Sequence, residues 1–241
     1  MRAQTRHNLK QDQFTRTTID VAEKTVHWSA EHQGRLLVVG AIILVLAAAT
    51  GGGWYYLNQQ DQKGSVELGK AVRTLDTPVR PPNMPPQPDN PTFASSTERA
   101  TAAHKQFQEI ADKYPHTRSA DFAHYFLGLT AVDMGDYAAA ERELQAVTSF
   151  RNADLAALAK FALASVYRNT KRNPQAIEIY KQLAAKPAAT VSKVTAQMEL
   201  AATYQASNQP LEAKRIYEQM QKENPGTEIS QLASAKLQEL K

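Results

Sequence analysis

Between Arg35 and Asp61 the chain carries no charged residue, and the 22 residues from Leu36 to Leu57 read LLVVGAIILVLAAATGGGWYYL. At about 1.5 Å per residue a helix of this length reaches roughly 33 Å, enough to cross a hydrocarbon core of about 30 Å. A core helix of a soluble domain keeps a polar stripe on its uncovered face, whereas this stretch is apolar on all sides from Leu36 to Ala49. A cleaved leader has a short basic start and an apolar run of about 7 to 15 residues. Here 35 residues precede a run that continues through Trp54, Tyr55 and Tyr56. Trp and Tyr favour the boundary between lipid and water, so the aromatic trio marks the far end of an uncleaved span over residues 35–57.

The span divides the chain. Residues 1–34 form a polar tail in which Val21, Ala22, Val26 and Ala30, after a cap at Asp20, predict a short amphipathic helix. Lys and Arg favour the cytoplasmic side, and Arg35 abuts the apolar run while Lys63 lies six residues beyond Leu57. The expected topology is therefore a cytoplasmic N-terminus with the large domain across the membrane. A net charge of +4 from 28 basic and 24 acidic residues is too slight for a nucleic-acid binder, and the lack of Cys excludes disulfides, thiolate chemistry and zinc–thiolate sites.

Beyond the span the sequence repeats. Ala103, Ala140, Ala176 and Ala213 stand 37, 36 and 37 residues apart. Four residues after each come Phe107, Leu144, Tyr180 and Tyr217, and three further come Ile110, Val147, Leu183 and Met220. These are spacings of a single helical face, a small residue followed by large apolar ones. Twelve residues before three of the alanines stand Leu127-Gly128, Leu163-Ala164 and Leu200-Ala201, followed three residues later by Ala131, Tyr167 and Tyr204. Each unit thus predicts two helices joined by a tight turn, with turn signals at Gly135-Asp136, Asn173-Pro174 and Asn208-Gln209-Pro210.

These positions resemble the tetratricopeptide repeat, although the leading Trp is absent and the period runs two or three residues over the usual 34. The resemblance implies an all-α fold, a single N-terminal transmembrane helix followed by a tetratricopeptide-repeat α-solenoid. A first repeat reads as split: residues 58–77, with Leu68-Gly69 and Val72, supply its first helix, and a Pro-rich insertion over 78–96 reads as an exposed, stiff spacer. Repeats fill 97–226, and 227–241 reads as a capping helix with Ile229, Leu232, Leu237 and Leu240 on its apolar side and Gln231, Lys236, Gln238 and Glu239 outside.

Chemistry leaves few traces. The six histidines have no metal-ligand spacing, no Gly-rich phosphate loop follows a strand, and Glu141 and Glu143 lie on different faces of one helix. The expectation is a protein that is not an enzyme, has no cofactor, metal or small-molecule substrate, and does not bind nucleic acid. The resemblance places its working surface on the concave inner face, lined by the first helix of each repeat. Counted from the small residue, that face carries Phe122, Tyr125, Leu129 and Val132, then Leu158, Phe161, Ser165 and Arg168, then Thr195, Met198, Ala202 and Gln205. The partner-binding set is Phe122, Tyr125, Leu129, Leu158, Phe161, Arg168, Met198 and Gln205, an apolar groove with one cation, suited to a hydrophobic segment or partner helix.

The layout also resembles membrane-anchored tetratricopeptide proteins of the YfgM type, ancillary subunits of the Sec translocon, through Glu23-Lys24, Trp28, Gly40-Ala41-Ile42-Ile43 and Gly53-Trp54-Tyr55-Tyr56. What that resemblance implies is a single-pass protein of the bacterial inner membrane with a periplasmic repeat domain. Its expected partners are translocon subunits, chaperones or client chains, and the membrane through residues 36–57. The alternative is an assembly scaffold for a cell-envelope or secretion complex.

Overall fold

The computed structural model describes residues 33–85 and 91–240. The amphipathic helix expected in the tail falls outside them. Among the described residues there are nine helices, α1 Gln33–Asp76, α2 Ser96–Lys113, α3 Arg118–Asp133, α4 Tyr137–Val147, α5 Ala153–Asn169, α6 Asn173–Ala185, α7 Lys193–Ala206, α8 Pro210–Glu223 and α9 Glu228–Glu239. The only strand-like pairing among them is a bridge between Val79 and Phe93. The chain separates into two compact parts at residues 56 and 57.

In the first part, the described stretch of α1 is long and apolar enough to cross a membrane by length and composition. Its side chains are uncovered, Leu37 at 74%, Leu44 at 69% and Trp54 at 71% exposure. In water so much uncovered apolar surface is unfavourable, at about 25 cal/mol per Å².

In the second part, helices pair in sequence order, with α2 packing on α3, α3 on α4, and so on to α8 on α9. The pairing follows from the repeated small residues. Ala103, Ala140, Ala176 and Ala213 are each completely buried, as are Ala164 and Ala201 on the facing helices. The large residues four positions on, Phe107, Leu144, Tyr180 and Tyr217, are equally enclosed, each contributing roughly 1.5–3 kcal/mol of burial. Where α3 crosses α4 the approach is so close that a Cβ on Gly128 would stand 2.6 Å from Cγ of Leu144.

Local signals set the helix ends. Thr117 and Thr227 cap α3 and α9 by accepting the N–H groups of Ala120 and Ser230, each after a four-residue link containing Pro115 or Pro225. Pro174 and Pro210 sit in the first turns of α6 and α8, where no N–H is needed. The turns inside repeats use left-handed residues at one register, Gly135, Lys171 and Asn208, with φ of 79°, 60° and 57°. Helices and links share the long period: α2 and α8 run on to Lys113 and Glu223 before four-residue links, whereas α4 and α6 stop at Val147 and Ala185 and the longer links Thr148–Asn152 and Lys186–Ser192 follow.

Residues 57–76 of α1 form the first helix of the opening repeat and run antiparallel to α2. Thr74 donates to Gln106 at 2.8 Å, and Lys113 and Tyr114 both donate to Glu67 at 2.9 and 2.8 Å. Asp61 accepts from the N–H and hydroxyl of Ser119, both at 2.8 Å, placing a carboxylate at the start of α3. The small residue at this crossing is Ala71, 1% exposed, and not the expected Gly69, beside which a Cβ would meet nothing within 4 Å. Leu68, Ala71, Val72 and Leu75 share one face of the helix and enter one core cluster, while Gly69 is turned about 100° away.

Two further expectations are corrected. In α9 the buried position is Ala233, with Ile229, Leu237 and Leu240 packed around the same core, whereas Leu232 is 45% exposed. The spacing explains it, because Ala233 continues the series Ala123, Ala159 and Ala196 at intervals of 36, 37 and 37. The place of the small crossing residue then falls to Gln238, exposed and too large to accept another helix. The Pro-rich segment, for its part, is not extended over its described residues. Phe93 donates to Pro78 at 3.1 Å, Arg80 donates to Phe93 at 2.9 Å, and Met84 closes a turn on Pro81 with Asn83 at φ 71°. A segment with these bonds folds back on itself.

Gly128→Ala is expected to lower stability by about 1–2 kcal/mol, overpacking against enclosed Leu144 outweighing the better helix propensity of Ala. Gly69→Ala, with open space around it, is expected to raise stability by about 0.5–1 kcal/mol. Chemical denaturation of the two variants in parallel checks both signs.

Candidate partner-binding surface

The expected surface residues lie on three first helices, Phe122, Tyr125 and Leu129 on α3, Leu158, Phe161 and Arg168 on α5, and Met198 and Gln205 on α7. The structure brings α3 against α5 directly, so the first two sets adjoin. All eight residues are half-buried. Phe122 and Tyr125 pack against the core between α3, α4 and α5, while Leu158, Phe161 and Met198 pack against the core formed by α5 to α9. Phe161 stands edge-on to the enclosed ring of Tyr180 with centroids 5.6 Å apart, and Tyr125 edge-on to Phe126 at 5.5 Å. These residues therefore have two faces, one anchoring neighbouring helices and one uncovered.

Three of the twelve inner-face positions behave differently from a free groove lining. Ser165 is within 3.2 Å of the Tyr180 hydroxyl, so its oxygen is engaged inside the repeat. Thr195 belongs to the capped first turn of α7, its hydroxyl 2.8 Å from that of Ser192. Arg168 is not a lone cation: it donates to Glu199 of α7, a residue the sequence reading left out. The register that joins them was present in the spacing, since the residue four after the small position of one repeat meets the residue two before that of the next. One repeat earlier, the same register pairs Val132 with Ala162, both packed on the α3 to α5 core.

One more charged contact ties repeats together. Arg172, in the turn before α6, forms a two-pronged pair with Glu141 of α4 at 3.1 and 2.6 Å and lies 4.5 Å from the ring of Tyr167. Glu143 instead meets Nδ1 of His124 at 3.0 Å, so the two carboxylates of α4 serve opposite sides of their helix. His104 pairs with Thr130 at 2.8 Å. Among the described residues no three His, Asp or Glu side chains converge as a metal site would require.

The bond between His124 and Glu143 raises the imidazole above its ordinary range and lowers the carboxyl below its own. Asp121 also faces His124, its carboxyl pushed upward by burial. The raised His124 stabilises the fold fully below about pH 6.5 and loses that effect as pH rises through its folded value. The lowered Glu143 stabilises above about pH 4.5 and loses that effect as pH falls through its folded value. Thermal unfolding is thus expected to give a higher midpoint at pH 6 than at pH 8, with that difference reduced in Glu143→Gln.

A family model described as a tetratricopeptide repeat-like domain matches residues 27–241. Comparisons with curated proteins and with solved structures return no match.

Proposed function

This chain belongs to the tetratricopeptide repeat-like domain family, and from that premise we propose that it is a membrane-anchored module that holds other polypeptides through the inner face of its repeats. The supporting observation is the row of half-buried, outward-facing apolar side chains Phe122, Tyr125, Leu129, Leu158, Phe161 and Met198 on successive first helices. Repeats of this kind generally mediate contact between proteins, and an apolar face with aromatic and Met residues suits a helix or hydrophobic segment whose exact shape varies. The Arg168 and Glu199 pair supplies a polar landmark on that face without leaving an unbalanced charge.

The location follows from the anchor. Residues 35–57 hold the module at a membrane, and the position of Arg35 and the aromatic trio supports a cytoplasmic N-terminus with the repeats in the periplasm. The resemblance to translocon-associated proteins names the partners we favour: translocase subunits, periplasmic chaperones or chains emerging from the channel. Binding without covalent chemistry is the proposed activity.

A photocrosslinking residue placed at Leu129 or Met198 of the full chain in cells is expected to capture translocase subunits, chaperones or exported chains. The same residue at Gln145 or Lys181, on second helices, is expected to capture none. Leu129→Asp and Met198→Asp should each weaken capture about tenfold or more, on the scale of 1–3 kcal/mol for a binding hot spot, while unfolding stays cooperative. Stoichiometric capture of another envelope complex, or equal capture from both helix sets, would overturn this reading.

A further inference from the structure

Each repeat opens into a mouth between the start of its first helix and the end of its second, opposite the turn that joins them. Two positions guard that mouth at a fixed register, four residues before the small crossing residue and ten after the aligned Ala. In the four repeats the pairs are Glu67 and Lys113, His124 and Phe150, Lys160 and Lys186, and Gln197 and Glu223.

Three of the four are complementary. Lys113 donates to Glu67 at 2.9 Å. The ring of Phe150 stands edge-on to His124 at 6.2 Å. Gln197 donates to Glu223, which also pairs with Lys193 at 2.8 Å. In the third repeat the register sets two lysines at the mouth, and neither ammonium belongs to an ion pair among the described residues.

Where contacts between side chains span the other mouths, this one opens into a crevice. Lys160 and Lys186 line a crevice of about 830 Å³. Its floor is built from Ala153, Ala156 and Ala157 of α5 and Leu183 of α6. The side chain of Asp121, one repeat earlier, stands where α5 has Ala157, so small residues create the space. One carboxylate, Asp154, also lines the crevice, but it accepts the N–H of Ala189 at 3.1 Å. Its neighbour in the link, Thr190, donates to the Asp154 carbonyl at 2.8 Å. Asp154 thereby fastens the long link that forms one wall, and among the described residues it forms no ion pair with either lysine.

We propose that this crevice is a second docking site, taking an Asp or Glu side chain of a bound polypeptide between Lys160 and Lys186 with small apolar neighbours against the alanine floor. The incoming carboxylate completes the contact that Glu67 and Glu223 make internally at the same register. It rests on the reading that the chain holds polypeptides, but not on the inner face, which α3, α5 and α7 present elsewhere.

The test uses the full chain in a non-ionic micelle with alanine methyl groups labelled for NMR, titrated with the peptide acetyl-Ala-Glu-Ala-Glu-Ala-amide. Saturable shifts are expected at the methyls of Ala153, Ala156 and Ala157. The Gln-for-Glu peptide should leave them in place, and Lys160→Glu or Lys186→Glu should weaken the effect at least tenfold. Because Lys160→Glu also supplies an internal partner for Lys186, its melting temperature should be no lower than that of the wild type, separating lost binding from lost folding. Absent shifts at these methyls, equal shifts with the Gln peptide, or shifts unchanged in both lysine variants would overturn the proposal. Leu129→Asp, which disables the inner face, should leave the titration unaltered, so the two sites fail independently.

Discussion

The close crossing of two helices at a small residue is the contact on which every repeat depends. Packed helix axes lie about 8–10 Å apart depending on the side chains at the contact, and small residues there allow the closest approach. Gly128, Ala164, Ala201 and Ala71 supply that economy on the first helices, and Ala103, Ala140, Ala176 and Ala213 on the second. With backbones that near, Phe107, Leu144, Tyr180 and Tyr217 fill the remaining space completely. Neighbouring repeats then close the core from both sides, so that Tyr180 belongs to one cluster reaching from Ala157 to Ala233.

This constraint explains why so much of the fold was legible in the sequence. A small residue followed at four and seven positions by large apolar ones is a pattern of identity, and it survives even though the leading Trp is missing. What was lost were assignments that depend on rotation about a helix axis. Leu68-Gly69 imitates the Leu-small pair of later repeats, but the face that packs is shared by Leu68, Ala71, Val72 and Leu75. Likewise Leu232-Ala233 looks like the same pair, whereas Ala233 occupies the earlier alanine register and leaves Leu232 outside. For Leu232 hydrophobicity favoured the wrong residue, and the 37-residue spacing from Ala196 gives the right one; for Gly69 the insertion breaks the spacing, and only the packed face identifies Ala71.

The surface was less legible for a different reason. Groove positions could be counted from the repeat, but whether a side chain there is available depends on what stands on the next helix. Glu199 neutralises Arg168 and the Tyr180 hydroxyl engages Ser165, contacts separated by 31 and 15 residues. Nothing within a single helix announces either one. The Pro-rich segment is not extended for a similar reason, since Pro78 and Arg80 bond to Phe93, 15 and 13 residues further on. Proline count limits helix but does not decide whether a loop stays open.

The residues that stabilise a repeat and those proposed to meet a partner occupy different positions. An enclosed large residue beside the crossing, such as Phe107 or Leu144, costs roughly 2–5 kcal/mol when cut back to Ala. A charged pair at the mouth, such as Lys113 with Glu67 at 61% and 34% side-chain exposure, contributes little because water screens it. A repeat can therefore hold an unmatched pair at its mouth and still fold, as the third does with Lys160 and Lys186. The same reasoning applies to the half-buried aromatic residues: Phe161 keeps its inner edge on Tyr180 while its outer edge stays free. A surface built from residues with one anchored side positions its contacts rigidly, so a partner that docks there orders only itself.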